Sequence, residues 1–189
     1  MDTMYLLETC RTYRRFDQTP IPRPIVDDII AALRYSSSAR NGQPIRLVLV
    51  TKPEDIQAVN AHVKWAGALP PELGTPKADE LPTLFAAVLD NGPEAHDTDA
   101  GIAIANMTLA AWDQGVGSCI MQAIDRPALA KLLHLPENVR LHSMVAFGYP
   151  SHISTVVPVE ADGSLAYYLD EENNYCVPKL DAETLAFFF

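Results

Sequence analysis

The chain is poor in basic side chains: across 189 residues, 14 Lys and Arg stand against 24 Asp and Glu, a formal net charge of −10. A grip on nucleic acid needs a basic face, so that class of partner is set aside. Cysteine is scarce as well. Cys10, Cys119 and Cys176 are odd in number, far apart, and in no C-x-x-C or zinc spacing, which excludes a disulfide framework and points to reduced thiols. His62, His96, His134, His142 and His152 show no ligand spacing, so no metal is expected. No apolar run reaches the roughly 18 residues of a membrane span. The opening MDTMYLLETCRTYRRF lacks an apolar signal core, and the expectation is a cytoplasmic protein without a membrane partner. A Walker A loop, a G-x-S-x-G nucleophile elbow and internal repeats are all missing.

What is present is a 48% apolar composition, sufficient for the core of one domain spanning residues 1–189. The charge is unevenly placed. Residues 1–46 carry seven Arg (Arg11, Arg14, Arg15, Arg23, Arg34, Arg40, Arg46) and a net +2, whereas residues 47–189 carry −12. Arginine suits bidentate contact with phosphate or carboxylate. A local anion site on an acidic protein and a set of surface ion pairs are equally compatible with this count.

The pattern predicts helices over 2–9, from Pro24 to Tyr35, over 53–63, over 94–113 and from Asp125 to His134. In the fourth, Ile102, Ala105, Leu109 and Trp112 form the predicted inward face. Strands are predicted over 46–51, 84–90, 118–122 and 142–147. Residues 66–82, with four prolines, read as a surface excursion, and 151–189 as an irregular acidic arm. The apolar end of that arm, Leu185 to Phe189, needs a surface to bury against, and a partner subunit is the natural candidate.

Three constellations carry possible chemistry. Arg11-Thr12-Tyr13-Arg14-Arg15 gathers guanidiniums and a hydroxyl that match a phosphate dianion, or else forms a solvated basic turn. Ser36 to Gln43 gathers hydroxyls and two carboxamides that can read the edge of a heterocycle, or else forms an ordinary polar loop. Gly115-Val116-Gly117-Ser118-Cys119 leaves a helix and enters a strand, the reverse of a Rossmann fingerprint, which argues against tight dinucleotide binding by that motif. Cys119 reads as a small buried thiol.

Taken in order, these pieces resemble the nitroreductase family of FMN-dependent oxidoreductases. Arg11 to Phe16 resembles the R-S-x-R-x-F phosphate motif, and Ser36 to Pro44 the A-P-S-x-x-N-x-Q-P loop. Asp99 to Asn106 resembles the central helix, Gly115 to Cys119 the G-L-G-S-C element, and Ala146 to Pro150 the A-L-G-Y-P ending. Val177-Pro178-Lys179 resembles the V-P-K-R tail of a shorter subfamily.

The resemblance implies an α+β sandwich with a mixed, mainly antiparallel sheet flanked by helices. It also implies a homodimer that exchanges C-terminal arms, with FMN at the subunit interface. Arg11, Thr12 and Arg14, assisted by Lys179, would hold the phosphate. Ser37, Ser38, Ala39, Asn41 and Gln43 would reach the flavin from the partner subunit, and Met121 and Gln122 would line it by backbone. The implied activity is hydride transfer from NAD(P)H to a nitroaromatic, quinone or similar acceptor, in a ping-pong cycle with no assigned general acid. A same-fold dehalogenating or enoate-reducing flavoenzyme and a non-catalytic flavin-binding protein remain alternatives. The chain departs from the pattern at Cys10 and Leu180, where relatives carry Arg, at Ser37 in place of Pro, and at Gln122 in place of Gly.

Overall fold

The structure, a computed structural model, describes residues 2–160 and 163–188. Its centre is a four-stranded sheet of β1 (Ile45–Val50), β2 (Leu84–Asp90), β3 (Gly117–Met121) and β4 (Arg140–Gly148), in the order β1-β2-β4-β3. Every neighbouring pair is antiparallel. β2 is buried along its whole length, which explains its apolar run LFAAVL before Asp90: both faces of the sheet are covered. Side chains of a strand alternate between faces. Phe85, Ala87 and Leu89 therefore join Tyr13, Phe16, Met144 and Ala146 on one side. Leu84, Ala86 and Val88 join Val145, Phe147 and two helices on the other.

Those two helices are α2 (Arg23–Arg34), with proline in its first turn, and α5 (Asp97–Asp113). Shorter helices are α1 (Thr3–Thr9), α3 (Pro53–Asn60), α4 (Pro71–Gly74) and α6 (Arg126–Leu132). The Asp125 carboxylate caps α6 by accepting from the Ala128 N–H at 3.1 Å.

Two expectations about α5 are corrected. The helix begins at Asp97, not Glu94, because the Asp90 carboxylate accepts the backbone N–H groups of Gly92 and His96 and holds that stretch as a turn. Its inward face is Ala100, Ala103, Ile104, Met107 and Ala111, not the Ile102 stripe. The helix is apolar almost all round, so periodicity did not select a side. Small residues face the sheet because they let the helix approach it closely, and Ile102 is left 37% exposed.

The arm is also more ordered than its composition predicts. β5 (Ser154–Pro158), β6 (Tyr168–Leu169) and β7 (Tyr175–Lys179) form a second sheet in the order β5-β7-β6. β5 and β7 run parallel, so the expected mixed character resides here, while the central sheet is wholly antiparallel. A four-residue helix, α7 (Ala182–Leu185), follows. Phe187 and Phe188 are fully open to solvent; Phe189 lies outside the described residues. The 66–82 excursion carries α4 and buries Ala66 and Leu81 in the core, so it is only partly a surface feature.

One close approach positions the basic segment. Gly117 and Gly148 face each other across β3 and β4. A Cβ on Gly117 would lie 2.6 Å from the Tyr13 ring, and one on Gly148 would lie 2.8 Å from the Phe16 ring. The bare backbone lets both rings lie on the strand ends, and Thr12 then bridges to Ser118 in parallel along the β3 edge. Gly148→Ala is expected to destabilise the protein by about 1–3 kcal/mol through overpacking against a buried ring, measured by denaturant unfolding monitored by circular dichroism.

Candidate functional site

With Tyr13 and Phe16 as inward anchors, Arg11, Thr12, Arg14 and Arg15 are laid along the rim of the sheet. The Tyr13 N–H donates to the Ser118 carbonyl at 2.8 Å, and the Phe16 N–H to the Glu80 carbonyl at 2.9 Å. Among the described residues no carboxylate pairs with Arg11, Arg14 or Arg15. Arg11 donates to the Leu7 carbonyl and Arg15 to the Asn173 carbonyl. Arg14 is buried beneath Tyr167 and Tyr175, its guanidinium carbon 4.4 and 4.7 Å from their ring centres. The Nε atoms of all three arginines are buried without a partner among the described residues. Three unneutralised cations with orphaned donors, on a protein of net charge −10, are the arrangement a phosphate dianion would complete.

The polar loop lies elsewhere. The Ser38 hydroxyl accepts the Gln43 N–H at 3.0 Å, and the Gln43 carboxamide nitrogen donates to the Asn41 carboxamide oxygen at 3.2 Å. The Ala39 N–H reaches both oxygens of the buried Asp99 carboxylate, at 3.1 and 3.3 Å. Arg40, Asn41 and Gln43 hold φ values of 53°, 55° and 46°, in the left-handed region that costs an L side chain about 1 kcal/mol or more. Such strain collects at binding sites. Beside the loop is a cavity of about 230 Å³, lined by Ser37, Ser38, Gln43, Arg34, Arg46 and Asp99 among others. Asn41 and Ala39 are exposed next to it.

One chain does not bring the two groups together. The Asn106 carboxamide donates to the Ser36 hydroxyl at 2.8 Å, and Cys10 Sγ contacts the Thr108 carbonyl at 3.8 Å. Two residues apart on a helix are about 200° apart around it, so α5 stands between the loop and the basic segment.

The remaining predicted residues are dispersed. Met121 is buried in the core at the end of β3. Gln122 is exposed, but its side chain is engaged: it accepts from Arg126 at 2.7 Å and lies 3.4 Å from His142 Nδ1. Lys179 is exposed at the end of β7, opposite Pro158, and about 13 Å along the strand from Tyr175 at 3.3 Å per residue.

An ion network flanks this region. Arg140 donates to Asp90 at 2.9 Å and to Asp97 at 2.6 Å. Burial alone would raise the Asp90 carboxyl, but hydrogen bonds from Arg140, His96 and Gly92 hold it far below the usual carboxylate range. Cys119 is buried, and burial pushes its thiol up to about 11, so it is not poised as a nucleophile.

Sequence reasoning did not assign Arg15, Asp99, His152, Tyr167 or Tyr175 to the site. Arg15 was legible as part of the basic run. The arm residues gave no local signal, because their placement depends on a parallel pairing across some twenty residues.

The family model described as "Nitroreductase family" matches residues 7–149, and the chain belongs to that family. Among curated relatives, an NAD(P)H-dependent FMN reductase from Bacillus subtilis is 27% identical, covering 86% of this chain and 72% of that protein. An NADH dehydrogenase from Thermus thermophilus is 25% identical over 75% of this chain and 83% of its own length. Among solved structures, an FMN-dependent nitroreductase from Clostridium difficile R20291 superposes with a TM-score of 0.68 at 16% identity, covering 81% of this chain and 90% of the other. A nitroreductase family protein from Clostridium difficile 630 gives 0.67 at 18% identity, over 81% and 87%. At these identities the structures establish the fold alone.

His152 provides a pH test of the packing around the arginines. Burial, then the Arg15 and Arg14 charges, push its imidazole from 6.5 down to about 4. The unfolded chain therefore binds a proton that the folded chain refuses between those values, and stability falls as pH drops from 6.5 towards 4. His152→Phe keeps a ring between Tyr13 and Tyr175 and is expected to flatten that slope, read from urea unfolding at a series of pH values.

Proposed function

We propose that the protein is an FMN-dependent oxidoreductase that takes hydride from NAD(P)H and delivers it to a nitroaromatic, quinone or similar small acceptor, the two substrates using one site in turn. The observation that carries this reading is the cluster of arginines laid on the β3 edge that no carboxylate neutralises among the described residues, a charge that a phosphate monoester would match. Bound FMN supplies a reversible two-electron hydride acceptor and donor.

The chain's own residues have three tasks in this reading. Arg11, Thr12 and Arg14 bind the phosphate, with Lys179 contributing charge from β7. Ser37, Ser38, Ala39, Asn41 and Gln43 orient the heterocycle through hydroxyl, amide and backbone groups, and the left-handed backbone fixes those groups before binding. The backbone at Met121 and Gln122 lines the ring. Donors of this kind near the ring carbonyls favour the charge that accumulates on reduction.

Because α5 separates the loop from the arginines within one chain, the reading requires a homodimer in which each site takes its arginines from one subunit and its loop from the other. Exposed apolar side chains support that assembly. Ile30 and Tyr35 at α2, Ile102 on α5, and Leu185, Phe187 and Phe188 in the arm lie open in the single chain. The arm would then contact the neighbouring subunit, with residues 1–189 as one domain. No helix among the described residues is long and apolar enough to cross a membrane.

Purified protein is expected to bind FMN, and its flavin absorbance to bleach on anaerobic addition of NADH or NADPH and return on addition of menadione or a nitroarene. Flavin that binds without bleaching would identify a non-catalytic binding protein, and failure to bind FMN would overturn the proposal. Arg11→Ala is expected to weaken FMN binding about 10- to 100-fold, the loss of one charge-assisted contact, measured by quenching of flavin fluorescence.

A further inference from the structure

The buried side-chain polar atoms that lack partners are not scattered. Among the described residues they fall in two short stretches: the Nε atoms of Arg11, Arg14 and Arg15, and both ring nitrogens of His152 with the Ser154 hydroxyl. The second stretch opens the C-terminal arm. Tyr175 joins the two. It is 1% exposed, its ring centre is 4.9 Å from that of His152, and it lies within 4.7 Å of the Arg14 guanidinium carbon and 5.9 Å of that of Arg15. Tyr167 lies 6.0 Å from Tyr175, centre to centre, and 4.4 Å from the Arg14 carbon. Its hydroxyl accepts the Ala68 N–H at 3.1 Å, tying the arm to the excursion. Arg14 itself makes no hydrogen bond or ion pair among the described residues. Its guanidinium lies against the faces of the two rings.

A guanidinium held by aromatic faces keeps its N–H edge for an acceptor, because the rings engage the cation through its π surface and not through its hydrogens. An arginine left loose would lose several rotatable bonds on capturing an anion. We propose that Tyr167 and Tyr175 are positioning residues for Arg14: the arm's two rings cup its guanidinium and fix it for the phosphate of the flavin, which makes the arm part of the phosphate site. The sequence motif places Arg14, and the arm aims it. This inference rests on the reading that the basic segment receives the FMN phosphate.

The test compares FMN with riboflavin, which carries the same ring system without the phosphate. Tyr167 is the more accessible of the two rings, although it packs against the core; Tyr167→Leu removes the stacking surface while keeping an apolar side chain there, and Tyr167→Phe keeps the ring while deleting the hydroxyl. Affinities are measured by fluorescence titration, and thermal melts of the flavin-free variants are recorded in parallel.

Tyr167→Leu is expected to weaken FMN about 3- to 10-fold, the scale of one lost cation–π contact, and to leave riboflavin unchanged. Tyr167→Phe is expected to retain wild-type affinity for FMN. Equal weakening of FMN and riboflavin by the Leu variant, no weakening at all, or failure of the Phe variant to restore FMN affinity would each overturn the positioning role. Wild-type protein that binds FMN no better than riboflavin would instead overturn the assignment of the basic segment as the phosphate site. Should Tyr167→Leu melt before it can be titrated, Tyr167→Phe is set against Arg14→Lys. The lysine keeps the charge but offers no planar cation for the rings to cup, and a selective loss of FMN affinity in that variant supports the proposal, whereas an unchanged one overturns it.

Discussion

The arrangement depends on two glycines opposite each other at the ends of β3 and β4. With no side chain at Gly117 or Gly148, the rings of Tyr13 and Phe16 settle directly on the sheet. That seating converts a basic segment, which composition alone would leave solvated, into a rail of fixed pitch along the sheet edge. Tyr13 and Phe16 bury against the sheet, Arg14 buries beneath the rings of the arm, and no carboxylate among the described residues meets Arg11, Arg14 or Arg15. Nineteen of the 24 acidic residues lie beyond residue 46, yet none neutralises this group among the described residues. Elsewhere the chain pairs its buried charge carefully: Asp90 collects four hydrogen bonds, two of them through His96. The contrast between a satisfied anion and cations without a carboxylate partner a few strands away sets the basic segment apart from the rest of the chain.

Much of the fold was legible because the relevant signals were local. β2 announced itself as a continuous apolar run, Asp125 as a cap, and the proline-led α2 by its period. The expected face of α5 was wrong because a helix rich in alanine, with apolar residues on every side, carries no directional information. Its inward side is chosen by which residues are small enough to approach the sheet. The arm was underestimated for a different reason. A parallel pairing such as β5 with β7 is invisible to any window shorter than the connection between them.

The site was legible in parts and not as a whole. Residue types at Arg11 to Arg15 and at Ser36 to Gln43 implied anion and heterocycle chemistry, and the order of motifs implied the family. No sequence feature indicated that Arg14 is roofed by two tyrosines from the far end of the chain, or that Gln122 is committed to Arg126 and His142. Nor did any imply that α5 stands between the basic segment and the polar loop. These are relations between distant segments, and they appear only when the sheet has been assembled.

The loop from Arg40 to Gln43 has a consequence for how this protein can change over generations. Glycine at Arg40, Asn41 or Gln43 would relax the native backbone and remove a side chain together, while giving the unfolded chain more conformational freedom to lose. The two effects oppose each other, and asparagine bears the left-handed conformation more readily than arginine or glutamine. The loop is therefore least free to change at Arg40 and Gln43, where a replacement other than glycine keeps the strain and alters only the group presented beside the cavity.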